Sequence, residues 1–152
     1  VDEFLRASLP ASVSARLGES GQRLLKANRE EAREAELRTS FGHLLDANVD
    51  IVLGTDAGAV PDHFFGYTGH RELEIFVRLG MTPMQAIIAA TSKPAQRLGL
   101  DDLGLLQPGY SADLVVLDEN PLNDIRNTRS ISSVFLNGKI LDRAGLAAHF
   151  TQ

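Results

Sequence analysis

The segment Asp50-Ile51-Val52-Leu53-Gly54-Thr55-Asp56 restricts the possible folds of this chain more than any other. Three consecutive apolar residues closed by a glycine form the pattern of a short parallel strand buried on both faces. Thr55 and Asp56 place polar groups at the C-terminal end of that strand. In α/β sheets and barrels this is the end where functional sites are built. A loop rich in glycine, proline and aromatic residues follows, from Ala57 to Gly69.

The flanks of the strand read as helices. Residues 1–21 are mixed, with Leu9-Pro10 and Gly18, Ser20 and Gly21 as punctuation, and fit one or two short helices. From Gln22 to Ala47 the pattern is helical, and Leu37, Phe41, Leu44 and Leu45 make one stripe of a 3.6-residue period. The charged run before that stripe is expected to be a solvated face, with Glu34 and Arg38 spaced for an i,i+4 ion pair. A further helix is expected from about His70, with Gly80 at its C-terminal cap. Thr82-Pro83-Met84-Gln85 carries the signals of a helix start: Thr as N-cap, Pro at the first helical position, and Gln closing a capping box. Ser92-Lys93-Pro94 should end that helix, and a last short one runs to Leu98 before Gly99.

Beyond Leu100 the character changes. Pro108-Gly109 is a turn and Ala112 to Asp118 a strand. Val134 to Leu141 forms a hairpin about Asn137-Gly138, because Asn-Gly readily takes the positive φ angles of a type I′ turn. Two units are therefore expected, residues 1–100 and 101–152. The net charge of −5 gives no basic surface for phosphate, so nucleic acid is not an expected partner. No apolar run nears the roughly 20 residues needed to cross a bilayer. With no cysteine, disulfides, thiolate metal sites and cysteine nucleophiles are all absent. The N-terminus shows neither an initiator Met nor a signal-peptide pattern, and the compartment is not legible.

Chemistry is expected first at Gly54-Thr55-Asp56-Ala57-Gly58. The small neighbours leave room beside the Asp56 carboxylate for a metal, a water and a substrate, and Asp56 can either bind a divalent cation or accept a proton from water. The same residue can simply cap the following turn, and the local pattern leaves both roles open. His63 and His70 lie in and just after the loop and can border the same pocket. Their spacing does not match a helical zinc pair, and ordinary loop histidines fit as well. His43, on the polar side of a helix, and His149, near the end of the chain, are expected to be structural or solvent-exposed. Phe64, Phe65 and Tyr67 can line a pocket or pack beneath the loop. The sequence has no nucleophile elbow and no phosphate-binding loop ending in Lys-Ser/Thr.

Leu53 to Gly58 resembles the eighth-strand segment of the amidohydrolase superfamily, especially its imidazolonepropionase-like and dipeptidase-like members. The stretches His70 to Ala86, Ala89 to Leu100, Gly104 to Leu117, Asn120 to Ile125 and Val134 to Lys139 are similar to that family's later segments, in the same order. The resemblance covers roughly Val49 to Arg143. It implies an α/β fold: the C-terminal portion of a TIM (β/α)8 barrel, followed by the C-terminal strands of a small β-sandwich domain. It also implies that Asp56 binds a divalent metal, usually zinc, and shuttles the proton of the attacking hydroxide. The family's other ligands come from earlier strands, beginning with a His-x-His pair that this sequence lacks.

The implied function is hydrolysis of amide, cyclic amide or peptide C–N bonds in small molecules, including dipeptides, with His63 and His70 as candidate substrate contacts. A single carboxylate cannot hold a catalytic zinc, which needs about three protein ligands. The chain is therefore expected to be a C-terminal fragment, inactive alone and completed by a missing N-terminal half. The alternatives are half of a split enzyme that needs a partner chain, or a non-enzymatic remnant that folds alone or self-associates as a swapped oligomer and serves as a binding or structural module.

Overall fold

The computed structural model describes residues 27–59 and 63–150. The expected short helices before Gly21 lie outside those residues. Helix α1 spans Ala27–Asp46, α2 Tyr67–Leu79, α3 Pro83–Ala90 and α4 Ser92–Leu98. Strand β1, Leu114–Leu117, precedes a 3₁₀ helix at Ile125–Arg129, strands β2 (Ile131–Leu136) and β3 (Lys139–Ile140), and helix α5 (Arg143–Phe150).

Three of the four leading helices end by the same device. After α1, Asn48 takes φ 51°; its N–H donates to Leu45 O and that of Val49 to Leu44 O, both at 3.0 Å. This reversed pair of bonds satisfies carbonyls that the helix end would leave open. Gly80 and Met81 repeat it on Val77 and Phe76 after α2, and Gly99 and Leu100 on Gln96 and Ala95 after α4. The start of α3 follows its sequence signals: Gln85 N–H donates to Thr82 Oγ1 at 3.2 Å, and Thr82 N–H to Gln85 Oε1 at 2.8 Å. Helix α2 begins at Tyr67, three residues ahead of the expected start, because Thr68 is tied back to Phe64 O through both its N–H and its hydroxyl. Helix α4 begins at Ser92 and takes Pro94 into its first turn, where the missing N–H leaves no intrahelical bond unmade.

The helices share one small core. Leu73, Phe76, Met81, Ala86, Ala89 and Ile125 are its buried members, with Phe41, Leu45, Ile51 and Leu53 packed against them. The rings of Phe41 and Phe76 stack with centroids 5.7 Å apart, and the Arg78–Glu34 ion pair at 3.2 Å also joins α2 to α1. Glu34 and Arg38 make the expected i,i+4 pair, at 3.5 Å.

The segment expected to be a parallel strand is extended, but it lies in no sheet among the described residues. Leu53 N–H donates to Ala89 O at 2.8 Å, and Asp50 pairs with Lys93 at 3.3 Å and with Arg97. A parallel ladder needs a neighbouring strand; among the described residues the segment bonds instead to helices α3 and α4. Burial consequently alternates: Ile51 and Leu53 are half-buried, whereas Val52 retains 42% of its surface.

The antiparallel sheet has the order β1-β2-β3. Leu114 pairs with Phe135 across β1 and β2, and an irregularity between Val116 and Leu117 shifts the register. At the hairpin Phe135 pairs with Ile140, and Asn137 and Gly138 have φ 50° and 74°, the two positive angles expected of the Asn-Gly turn. No helix among the described residues is long and apolar enough to cross a membrane.

Candidate functional site

Asp56 stands where the extended segment turns, with its side chain exposed and its backbone at φ 49°. That left-handed conformation costs most L-residues roughly 1–2 kcal/mol, and Asp is among the residues that tolerate it best. The turn is closed locally: Ala57 N–H donates to Thr55 Oγ1 at 3.3 Å and Ala59 N–H to Asp56 O at 3.0 Å. Gly58 follows at φ 84°, beneath the Phe65 ring. A Cβ on Gly58 would lie 2.6 Å from Phe65 Cζ, so the ring would have to swing aside, and the positive φ independently favours glycine. Phe65 itself is 81% exposed, which places it on the rim of this loop, outside the core.

His63 returns to the turn from beyond residues 60–62. Its Nδ1 lies 2.6 Å from Thr55 O, and its own carbonyl accepts from Gly58 N–H at 3.2 Å. A carbonyl can only accept, so Nδ1 carries the hydrogen. Asp56 and His63 thus belong to one closed loop, as the sequence suggests.

His70 is turned elsewhere. Its Nδ1 meets Thr128 Oγ1 at 3.0 Å, and that hydroxyl donates to Ile125 O at 2.9 Å. With the hydroxyl hydrogen committed to Ile125, the His70 ring is the donor of the pair. Burial, reinforced by the nearby Arg129 and opposed by Glu74, lowers its pKa and favours the neutral ring. Glu74 pairs with Arg71 on one side and Arg129 on the other, and Arg129 lies over the Tyr67 ring, 5.4 Å from its centroid. Side chains of α2 and the 3₁₀ helix so form one polar seam, apart from the Asp56 loop.

Helical geometry accounts for the division. Residues 70 and 74 share a face, and residue 72 lies about 200° round the helix from either. Glu72 therefore faces the loop. Burial raises its carboxyl pKa, with His63 opposing and Asp56 adding to the rise. Sequence reasoning did not single out Glu72. The signal was its position four residues after Thr68, on the face of α2 that meets the loop.

An open hollow of about 350 Å³ between α2 and the 3₁₀ helix is lined by Arg71, Glu74, Arg78, Asp124 and Arg126 among others. Each guanidinium already has a carboxylate: Arg71 has Glu74, Arg78 has Glu34, and Arg126 has Asp124. Hydrogen bonds from Arg126 hold the exposed Asp124 carboxyl down at about 2. Glu74 is shared with Arg129 and Glu34 with Arg38, so these carboxylates balance the guanidinium charge only in part.

An extended segment ending in a carboxylate, covered by helices and followed by a small antiparallel sheet, is compatible with the amidohydrolase resemblance read from the sequence. Comparison with known proteins agrees. The model of the amidohydrolase family matches residues 10–141, and the chain belongs to that family. It is 33% identical to ochratoxinase of Aspergillus niger over 139 residues, which is 86% of this chain and 28% of that protein. The solved structure of a molinate hydrolase superposes with a TM-score of 0.64 at 36% identity, over 70% of this chain and 26% of that one. A Xaa-Pro dipeptidase structure gives 0.62 at 33% identity, over 68% and 25%. The chain thus spans between a quarter and a third of the length of the relatives it matches.

Proposed function

We propose that this chain is the closing part of a hydrolase that cuts amide, cyclic amide or peptide C–N bonds, and that it contributes Asp56 to the reacting centre. Residues 1–100 would be the last helices and eighth strand of a (β/α)8 barrel, and 101–152 the C-terminal strands of a small β-sandwich. The observation that carries this reading is the exposed Asp56 carboxylate at the end of the extended segment, with Gly54, Ala57 and Gly58 leaving space beside it. The names of the matched proteins, a hydrolase and a dipeptidase among them, support the reaction class.

In the proposed reaction water attacks the carbonyl carbon while Asp56 accepts one of its protons. The tetrahedral centre then collapses, the C–N bond breaks, and the leaving nitrogen takes the proton from Asp56. His63 is assigned to the substrate side of the same loop. His70, with its ring on Thr128, is given a structural part.

The implied metal is a divalent ion, zinc by resemblance, and a catalytic zinc needs about three protein ligands. No group of three His, Cys, Asp or Glu able to hold a metal occurs among the described residues. This donor set does not fit a complete centre. Asp56 can supply one oxygen, the remaining ligands would lie on a His-x-His strand and its successors, and the chain alone would be inactive.

The test joins this chain to an N-terminal portion bearing a His-x-His strand, loads the protein with zinc, and offers N-acyl amino acids, imidazolone-type cyclic amides and dipeptides. Hydrolysis of at least one class is expected, falling about 10³-fold in Asp56→Asn. Unchanged turnover in that variant, or none with any class, would refute the assignment.

A further inference from the structure

The Asp56 turn is held from both sides by a single residue. His63 Nδ1–H reaches the carbonyl of Thr55, immediately before Asp56, at 2.6 Å. The His63 carbonyl accepts from the N–H of Gly58, two residues after Asp56, at 3.2 Å. Asp56 itself has φ 49°, a left-handed conformation that Asp adopts more readily than most L-residues. Its carboxylate is exposed, and its side chain makes no hydrogen bond or ion pair among those described, so the direction it points is set by its backbone. The remaining restraints on the turn are the bonds from Ala57 to Thr55 Oγ1 and from Ala59 to Asp56 O. Both are internal to residues 55–59. Among the described residues His63 supplies the hydrogen bonds that tie the turn to the far end of the loop, beside the Phe65 ring over Gly58, and that end continues directly into α2 through the bonds of Thr68 to Phe64 O.

We propose that His63 is a positioning residue: its ring and its carbonyl clamp the backbone on either side of Asp56 and so aim that carboxylate. The inference rests on the reading of Asp56 as the reacting carboxylate. It goes beyond a substrate contact because it commits Nδ1 to the main chain and leaves only Nε2 facing outward. Glu72, on the face of α2 opposite His70, is the charged group facing His63 from the helix, and its electrostatic link to both His63 and Asp56 fits a shared environment.

The experiment is nitrogen-15 NMR of the full 152-residue chain, which needs no turnover. The His63 ring is expected to carry hydrogen on Nδ1. His63→Ala should move the Asp56 backbone shifts out of the left-handed range and speed amide exchange at Gly58 at least tenfold. His63→Asn, whose amide nitrogen sits near the place of Nδ1, should restore most of that protection, and His63→Gln, whose amide reaches past it, should not. Thermal unfolding of each variant confirms that the fold is retained. An unprotonated Nδ1, or an alanine variant with the Asp56 shifts and Gly58 exchange of the parent, would overturn the clamp. In the completed, zinc-loaded protein the alanine variant should lower kcat about tenfold or more with KM within twofold, and Asn should recover most of the loss. A protein that hydrolyses nothing but shows the NMR pattern would defeat the hydrolase reading and leave the clamp standing, so the two fail separately.

Discussion

Helix α2 presents two polar faces, and they are in opposite conditions. On one, His70 and Glu74 meet Thr128 and Arg129, and the Glu74 and Arg129 side chains keep only 14% and 13% of their surface. On the other, Glu72 looks toward a loop whose principal carboxylate, Asp56, is open to solvent. The first face is finished within the chain. The second holds a carboxylate that makes no hydrogen bond or ion pair among the described residues. The two faces should therefore respond differently to mutation.

The widest gap should come from Arg129→Ala. Removing the guanidinium leaves Glu74 largely buried with only the more exposed Arg71, and breaking a buried pair costs about 3 kcal/mol. Urea unfolding of the chain should show this loss, and Arg129→Met with Glu74→Gln should recover part of it. A loss under about 1 kcal/mol would mean the seam is no firmer than a surface pair. Gly104→Ala comes next. Gly104 has φ 82°, and a Cβ there would lie 2.7 Å from Thr91 O and 2.8 Å from Ser92 Cα. Those are backbone atoms that cannot step aside, and about 2 kcal/mol of destabilisation is expected in the same assay.

A smaller effect should follow pH. The His70 pKa is lowered in the fold, so the unfolded chain binds the proton more readily. Stability is then full above the ordinary histidine value near 6.5 and falls as pH drops below it toward the folded value. Unfolding midpoints between about pH 7 and 5 should trace that fall, and His70→Asn, which keeps a donor for Thr128, should flatten it. The least change belongs to the open face: Asp56→Asn should alter stability by no more than about 0.5 kcal/mol, since Asn tolerates the left-handed turn as Asp does. A larger loss would show that the carboxylate is structural, as in the turn-capping role that the sequence left open.

What was legible in the sequence were features whose cause lies within a few residues. The capping box at Thr82 and Gln85, the glycine stops at Gly80 and Gly99, and the Asn137-Gly138 hairpin all formed as read. The seam was not legible, because its partners are 55 and 58 residues apart and each alone reads as an ordinary surface charge or loop histidine. Residues 51–53 show a different limit. Their apolar run describes burial on two sides, and a strand exists only where a neighbour completes its ladder. The pattern specified the environment it needs, and the helices of this chain supply one half of it. The resemblance read from the sequence rests on an ordered succession of segments from about Val49 to Arg143, and the family model matches residues 10–141.

The alternation at Ile51, Val52 and Leu53 has a further consequence. Two of these side chains are already seated against helices, so the facing of the whole stretch is decided before any neighbour arrives. A β-strand laid alongside can slide only by even steps, because an odd step would exchange the residues that point toward the helices for those that point away. Half of all alignments are thereby forbidden in advance, and the core residues of helices α2 and α3 act as the template that rejects them.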